Sequence, residues 1–129
     1  MDDKSFSKEG RIRIPREGEI WLVKFEKLKE FSKTYRPCLI VSNNSQNDFD
    51  TKIVVVAMTS EEIDDIQPFE VYIKNTTETG LDEPSKILCN YPYTIYKKLR
   101  LVDKQRLGVA SPEIMVKVKE ALKIVLNLK

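Results

Sequence analysis

The chain has 129 residues, 22 Lys and Arg against 20 Asp and Glu, a net charge of +2, two cysteines and no histidine. That length sets a single domain able to bury a core without staples, and the near-balance of charge excludes a uniformly basic nucleic-acid binder. Two cysteines without histidine argue against a disulfide framework and against a zinc site, and they remove the usual general base at neutral pH. No apolar run approaches the ~20 residues that span a bilayer. The start, Met1-Asp-Asp-Lys, lacks the apolar stretch of a secretion signal, so a cytoplasmic protein is expected.

Residues 1–16 read as a polar N-terminal extension. Ile12 and Ile14 alternate with Arg11 and Arg13, which leaves two readings, a short edge strand before Pro15 or a frayed, disordered tail. The domain proper is expected over 17–129. Ile20 to Phe25 is β-branched and aromatic and predicts a strand. Glu26 to Tyr35 is a charged loop with Lys27, Lys29 and Lys33. Cys38 to Val41 and Ile53 to Met58 are continuous apolar runs, too short and too β-branched for helices. Between them, Asn43 to Asp48 has turn chemistry throughout.

Phe69 to Ile73 alternates as a half-exposed strand does. Gly80 marks a turn, and a further strand begins at Lys86 to Cys89. Asp103 to Leu107 predicts a short turn of helix. At the end, Ser111, Pro112 and Glu113 supply an N-cap, a first-turn proline and an early acid. Ile114, Met115, Val118, Ala121, Leu122, Val125 and Leu126 then fall on one stripe at helical spacing. Closely spaced strands followed by one amphipathic helix predict a mostly β protein, a barrel or curled sheet, with a C-terminal helix packed on it.

Two strand ends carry chemistry. Arg36 precedes Pro37, which favours extended backbone at Arg36 and lets a planar, permanently charged guanidinium suited to phosphate project from a strand mouth. Thr59, followed by Ser60, closes the next apolar strand. Basic residues cluster near Arg36 (Lys24, Lys27, Lys29, Lys33) and again at Lys97, Lys98, Arg100, Lys104 and Arg106. Glu61, Glu62, Asp64 and Asp65 form an acidic patch. Each of these runs reads equally as a solvated face, but a basic cluster beside Arg36 favours phosphate binding.

The order Gly18-Glu-Ile-Trp-Leu-Val-Lys-Phe25, Arg36-Pro-Cys-Leu-Ile-Val-Ser42, Ile53-Val-Val-Val-Ala-Met-Thr59-Ser60, with Pro68-Phe-Glu-Val71, Gly80-Leu-Asp-Glu-Pro-Ser85 and the last helix, resembles the MazF/PemK/Kid family of bacterial toxins. The resemblance runs from about Glu17 to the C-terminus. It implies an SH3-like barrel of the CcdB/PemK toxin type and the toxin of a type II toxin–antitoxin pair. The implied activity is metal-independent, cofactor-free cleavage of single-stranded RNA, mRNA included, by attack of the 2′-hydroxyl. A homodimer and an antitoxin partner are implied with it.

Carried residue by residue, the resemblance makes Arg36 and Thr59 catalytic and Ser60 a supporting group. The family's Gly-Ser-Glu-Gln stretch before the Arg is absent, and Glu30 is the nearest carboxylate that could replace its Glu. Where relatives carry Asp/Glu-Gln-x-Arg-Thr-Ile, this chain reads Asn90-Tyr-Pro-Tyr-Thr-Ile95. A carboxylate proposed as catalytic in some members therefore falls on Asn90, and the basic residue falls on Tyr93. Tyr91 or Tyr93 could stack on a base or donate a phenolic proton, or pack in the protein. Two alternatives stay open: a CcdB-like gyrase poison, which acts on a protein, and an RNA-binding homologue with weakened catalysis.

Overall fold

The computed structural model describes residues 14–25 and 35–128, with backbone alone for 102–104. Among the described residues, six strands and three helices follow in the order β1 (Glu19–Lys24), β2 (Tyr35–Ile40), α1 (Asn44–Phe49), β3 (Lys52–Thr59), β4 (Glu70–Ile73), β5 (Ser85–Tyr96), α2 (Lys97–Arg100), β6 (Leu101–Val109) and α3 (Pro112–Leu126). The strands form one sheet, ordered β4-β5-β3-β2-β1-β6, and every pairing is antiparallel. The expected mostly β architecture with a C-terminal helix is what forms.

Both faces of the sheet are apolar, which is why the central strands read as unbroken hydrophobic runs. One face buries Ile20, Leu39, Val56, Met58, Ile87 and Cys89 against Val118 and Ala121 of α3. The other buries Trp21, Val23, Cys38, Ile40, Ile53, Val55 and Ala57. The sheet curls into a half-barrel. Its two edge strands are linked through the loop after β4, where Val109 N–H donates to the Glu78 carbonyl at 2.8 Å. Gly108 and Gly80 permit that approach: a Cβ on Gly108 would lie 2.2 Å from the Glu78 carbonyl oxygen, and one on Gly80 1.9 Å from that of Leu107.

The helix α3 begins as expected. The Ser111 hydroxyl accepts from Ile114 N–H at 3.2 Å, Pro112 opens the first turn, and Asn127 ends the helix in the left-handed region at φ 54°.

Two local expectations are corrected. Asn43 to Asp48 closes into the one-turn helix α1 rather than an open turn, because Asn43 caps it by accepting from Gln46 N–H at 2.9 Å. Asp103 to Leu107 is strand, not helix: β6 pairs with β1 through Trp21↔Arg106 and Val23↔Leu101, and a long-range ladder outweighs weak local helix propensity. The short helix lies just before it, at α2. Ile14 is in no strand. The expectations for residues 1–13 and for 26–34, Glu30 and three loop lysines among them, lie outside the described residues.

Candidate active site

Ladder arithmetic explains the Arg-Pro dipeptide. The β2–β3 register is Cys38↔Ala57, Leu39↔Val56, Ile40↔Val55, and just beyond it Val41 N–H donates to the Val54 carbonyl at 3.0 Å. Hydrogen-bonded pairs recur at every second step of an antiparallel ladder, so Pro37 and Met58 form the next such pair but one. Proline has no N–H to give, and β2 is a central strand, where that loss is felt on a buried carbonyl. The Arg36 guanidinium supplies the missing donor: its Nη1 lies 3.0 Å from the Met58 carbonyl oxygen.

Pro37 thus both sets extended backbone before it and leaves the acceptor that draws the Arg36 side chain across to β3. Extending the same register by two residues sets Arg36 opposite Thr59, on the same face of the sheet. The two residues that stood out in the sequence are brought together.

Thr59 is half-buried at the end of β3. Its hydroxyl oxygen accepts from Glu61 N–H at 3.1 Å. Among the described residues the hydroxyl hydrogen meets no acceptor, so it is available to donate outward. Ser60 is exposed on the loop that follows, which also carries Glu61, Glu62, Asp64 and Asp65. The site therefore sits in a charge gradient, with cations on its β2 side, where Lys24 of β1 is exposed beside Tyr35, and carboxylates on the side of the β3–β4 loop.

The divergent segment is a large bulge. Met58 pairs with Ile87 while Val56 pairs with Pro92, so residues 88–91 stand opposite Ala57 alone. The bulge separates the roles that the sequence left open for its residues. Tyr93, paired with Val55, packs edge-on against Phe25 with ring centroids 5.3 Å apart and belongs to the apolar cluster around Trp21 and Val23. Tyr91 is exposed over half its surface, at 51%. Asn90 turns inward, and its Oδ1 is buried without a hydrogen-bond partner among the described residues.

Lys86 was passed over in the sequence. It pairs with Thr59 across β3 and β5 yet is only 6% exposed. The signal was available: a lysine between Ser85 and Ile87, at the start of an apolar run, is seldom buried without an assigned partner.

Members of the second basic cluster are bound to other groups. Lys97 follows Tyr96, which pairs with Lys52 at the opposite end of β3 from Thr59. Its Nζ donates to the carbonyls of Asn47 at 2.6 Å and Asp48 at 3.5 Å. Burial lowers its pKa, partly offset by Asp48 and Asp50. Arg106 Nε is bound to the buried Glu19 carboxylate. These cations are committed to structure.

Cys38 and Cys89 are both buried. Burial pushes the Cys38 thiol far up and, together with the nearby Glu70 carboxylate, pushes Cys89 up to about 12, so neither is a nucleophile at neutral pH. Among the described residues no group of three or more Asp, Glu or Cys is placed to hold a metal ion, and no helix is long and apolar enough to cross a membrane.

A curled six-stranded sheet with one C-terminal helix is an architecture shared with solved toxin structures. The sequence model of the PemK-like, MazF-like toxins of type II toxin–antitoxin systems matches residues 16–126, and the chain belongs to that family. Among solved structures, an endoribonuclease from a mycobacterial species shares 24% identity over 91% of this chain and 95% of its own, with a TM-score of 0.70. A mycobacterial endoribonuclease in complex with its cognate antitoxin shares 23% over 89% of this chain and 97% of its own, at 0.71. A MazE–MazF complex from Deinococcus radiodurans shares 18% over 90% and 98%, at 0.68. At these identities the likeness is one of fold. A comparison with curated proteins gives no significant match.

Proposed function

We propose that this toxin is a metal-independent endoribonuclease that cuts single-stranded RNA, mRNA included, with Arg36 and Thr59 acting on the scissile phosphate. The ribose 2′-oxygen attacks phosphorus and loses its proton, the bond to the 5′-oxygen breaks, and that oxygen takes up a proton. The products end in a 2′,3′-cyclic phosphate and a 5′-hydroxyl. Arg36 is always charged, so it serves as the cation that stabilises the extra negative charge of the phosphorane and not as a base. Donors preorganised at developing charge contribute about 10²–10³ in rate. The observation that carries this reading is the pairing of the Arg36 guanidinium, drawn across β2 to Met58, with a Thr59 hydroxyl whose oxygen is already held by Glu61 N–H. A hydroxyl held in that way directs its hydrogen at a non-bridging phosphate oxygen.

Ser60 is a secondary contact. Tyr91, exposed on the bulge, is the stacking surface for a neighbouring base. Asn90 is amide rather than carboxylate and exchanges no proton. The assembly is a cytoplasmic homodimer neutralised by an antitoxin; the family match and the neighbours bound to antitoxins support that partner. The CcdB-like reading, a poison of gyrase, has no observation in its favour here.

Incubation of the purified protein with long RNA in excess EDTA tests the proposal. Discrete cuts with cyclic phosphate ends are expected. Products with a plain 3′-hydroxyl, formed only on addition of Mg²⁺, would overturn the mechanism.

A further inference from the structure

Lys86 occupies a position that a hydrophobic residue would fill at less cost. It lies between Thr59 on β3 and Tyr72 on β4 in one cross-strand row. Its Nζ is 3.1 Å from Glu70 Oε1 and 3.1 Å from the Asp65 carbonyl oxygen. Glu70 is buried as well, with a side-chain exposure of 9%, and the same Oε1 accepts from Gln67 N–H at 3.0 Å. Gln67 Nε2 in turn donates to Asp65 Oδ1 at 3.0 Å. Taking two charges out of water costs several kcal/mol per ion before their attraction returns any of it. Stability alone does not call for this pair, and a geometric role is its natural explanation.

That role is legible in what Lys86 joins. Its backbone is in register with Thr59, where the loop 60–69 begins, and its ammonium holds Asp65, where the loop turns back. Between these points Glu61 N–H binds the Thr59 hydroxyl, Asp65 N–H binds the Glu62 carbonyl at 3.2 Å, and Glu62 takes a left-handed φ of 51°. Glu61 N–H can keep its place on Thr59 only while the rest of this short segment is held.

We infer that Lys86, paired with Glu70, is a positioning residue for the RNA-cleaving reaction: by clamping Asp65 it keeps Glu61 N–H on the Thr59 oxygen and so keeps the Thr59 hydrogen aimed at substrate. The inference rests on the reading of Thr59 given above. It is separate from Arg36, which acts from β2.

The experiment uses the double variant Lys86→Met/Glu70→Gln, which removes both charges and leaves no lone buried carboxylate, with Lys86→Arg as the conservative change. Two readouts are taken. In RNA cleavage, the double variant loses at least about tenfold in kcat with KM within about twofold, since the contact it disturbs matters most in the transition state. Lys86→Arg, which still reaches both acceptors, keeps more than half of kcat. Thr59→Ala costs much less in the double variant than in the wild type, because the two act through one group.

In amide hydrogen exchange, Glu61 exchanges at least about tenfold faster in the double variant, while Val55 and Val56 in mid-β3 keep their wild-type rates. Full kcat in the double variant, or costs that simply multiply with Thr59→Ala, overturns the inference. Unchanged exchange at Glu61 overturns it as well. A wild-type protein that cuts no RNA removes the nuclease reading, and Glu61 exchange then still decides whether Lys86 holds the loop.

Discussion

At the Thr59 end of β3, Arg36 crosses from β2 to the Met58 carbonyl beside an exposed loop. At the Lys52 end, seven residues and about 23 Å away along an extended strand, Lys97 is folded back onto the carbonyls of α1 and Lys52 lies over the Tyr96 ring at 5.1 Å. The two ends look alike in sequence, each a run of Lys and Arg beside strand residues. What separates them is where the backbone spends its hydrogen bonds. At one end a proline leaves a carbonyl for an arginine, next to a hydroxyl; at the other the cations bind the carbonyls of α1 and cover a tyrosine ring. Counting charge along a chain does not distinguish a phosphate site from a set of structural clamps.

The largest effect should come from the Thr59 end. Arg36→Ala should lower RNA cleavage by about 10²–10³, and Arg36→Lys should recover little because an ammonium lacks the planar fork. The same change also strips the Met58 carbonyl of its donor, at about 1 kcal/mol of stability. Cleavage rates and thermal melts taken together check both. A wild-type rate in Arg36→Ala would end the distinction between the two ends.

Tyr91 in the bulge and Tyr93 just beyond it sharpen it further. Tyr91→Ala should weaken binding of an uncleavable RNA analogue by roughly 1–3 kcal/mol and leave the melting temperature alone. Tyr93→Ala, which removes the ring packed on Phe25, should act chiefly on stability. The opposite assignment would place the RNA on the inner side of the bulge.

In the second basic cluster, Arg106→Ala should cost about 1–2 kcal/mol in denaturant unfolding. The side chain is 35% exposed, so solvent screens part of the pair, and Glu19 keeps its bonds from Arg16 N–H and from Trp21 Nε1. Cleavage per folded molecule should be unchanged. A drop comparable to that of Arg36→Ala would make the second cluster part of the site.

A further effect is alkaline. Unfolded thiols ionise from about 9.0, whereas folded Cys89 holds its proton up to about 12 and Cys38 higher still. The unfolded state therefore sheds protons first, and stability falls as pH rises above about 9. Lys97 works the other way. Its lowered folded pKa means that the folded state deprotonates first, so its contribution rises with pH up to the ordinary lysine value of 10.5. Melting curves from pH 8 to 10.5 should show a decline that Cys38→Ala/Cys89→Ala weakens and Lys97→Met steepens.

Most of this fold was legible in local chemistry. Unbroken β-branched runs predicted the central strands because both faces of the sheet are buried, and Ser111-Pro112-Glu113 predicted the start of α3 because a cap is a contact between near neighbours. The strand β6 was not legible: Asp103 to Leu107 has no strand pattern of its own and is held by its pairing with β1, which the intervening chain hides.

The same boundary runs through the site. The sequence by itself placed a permanent cation before a proline and a hydroxyl at a strand end, since both follow from residue type and its immediate neighbours. Only the tertiary structure decided that Met58 would lack a ladder donor for Arg36 to replace, that the bulge would turn Tyr93 inward and Tyr91 outward, and that Lys86 would be buried under the Thr59 loop. Each of these depends on register between strands distant in the chain, and register is set by the whole sheet.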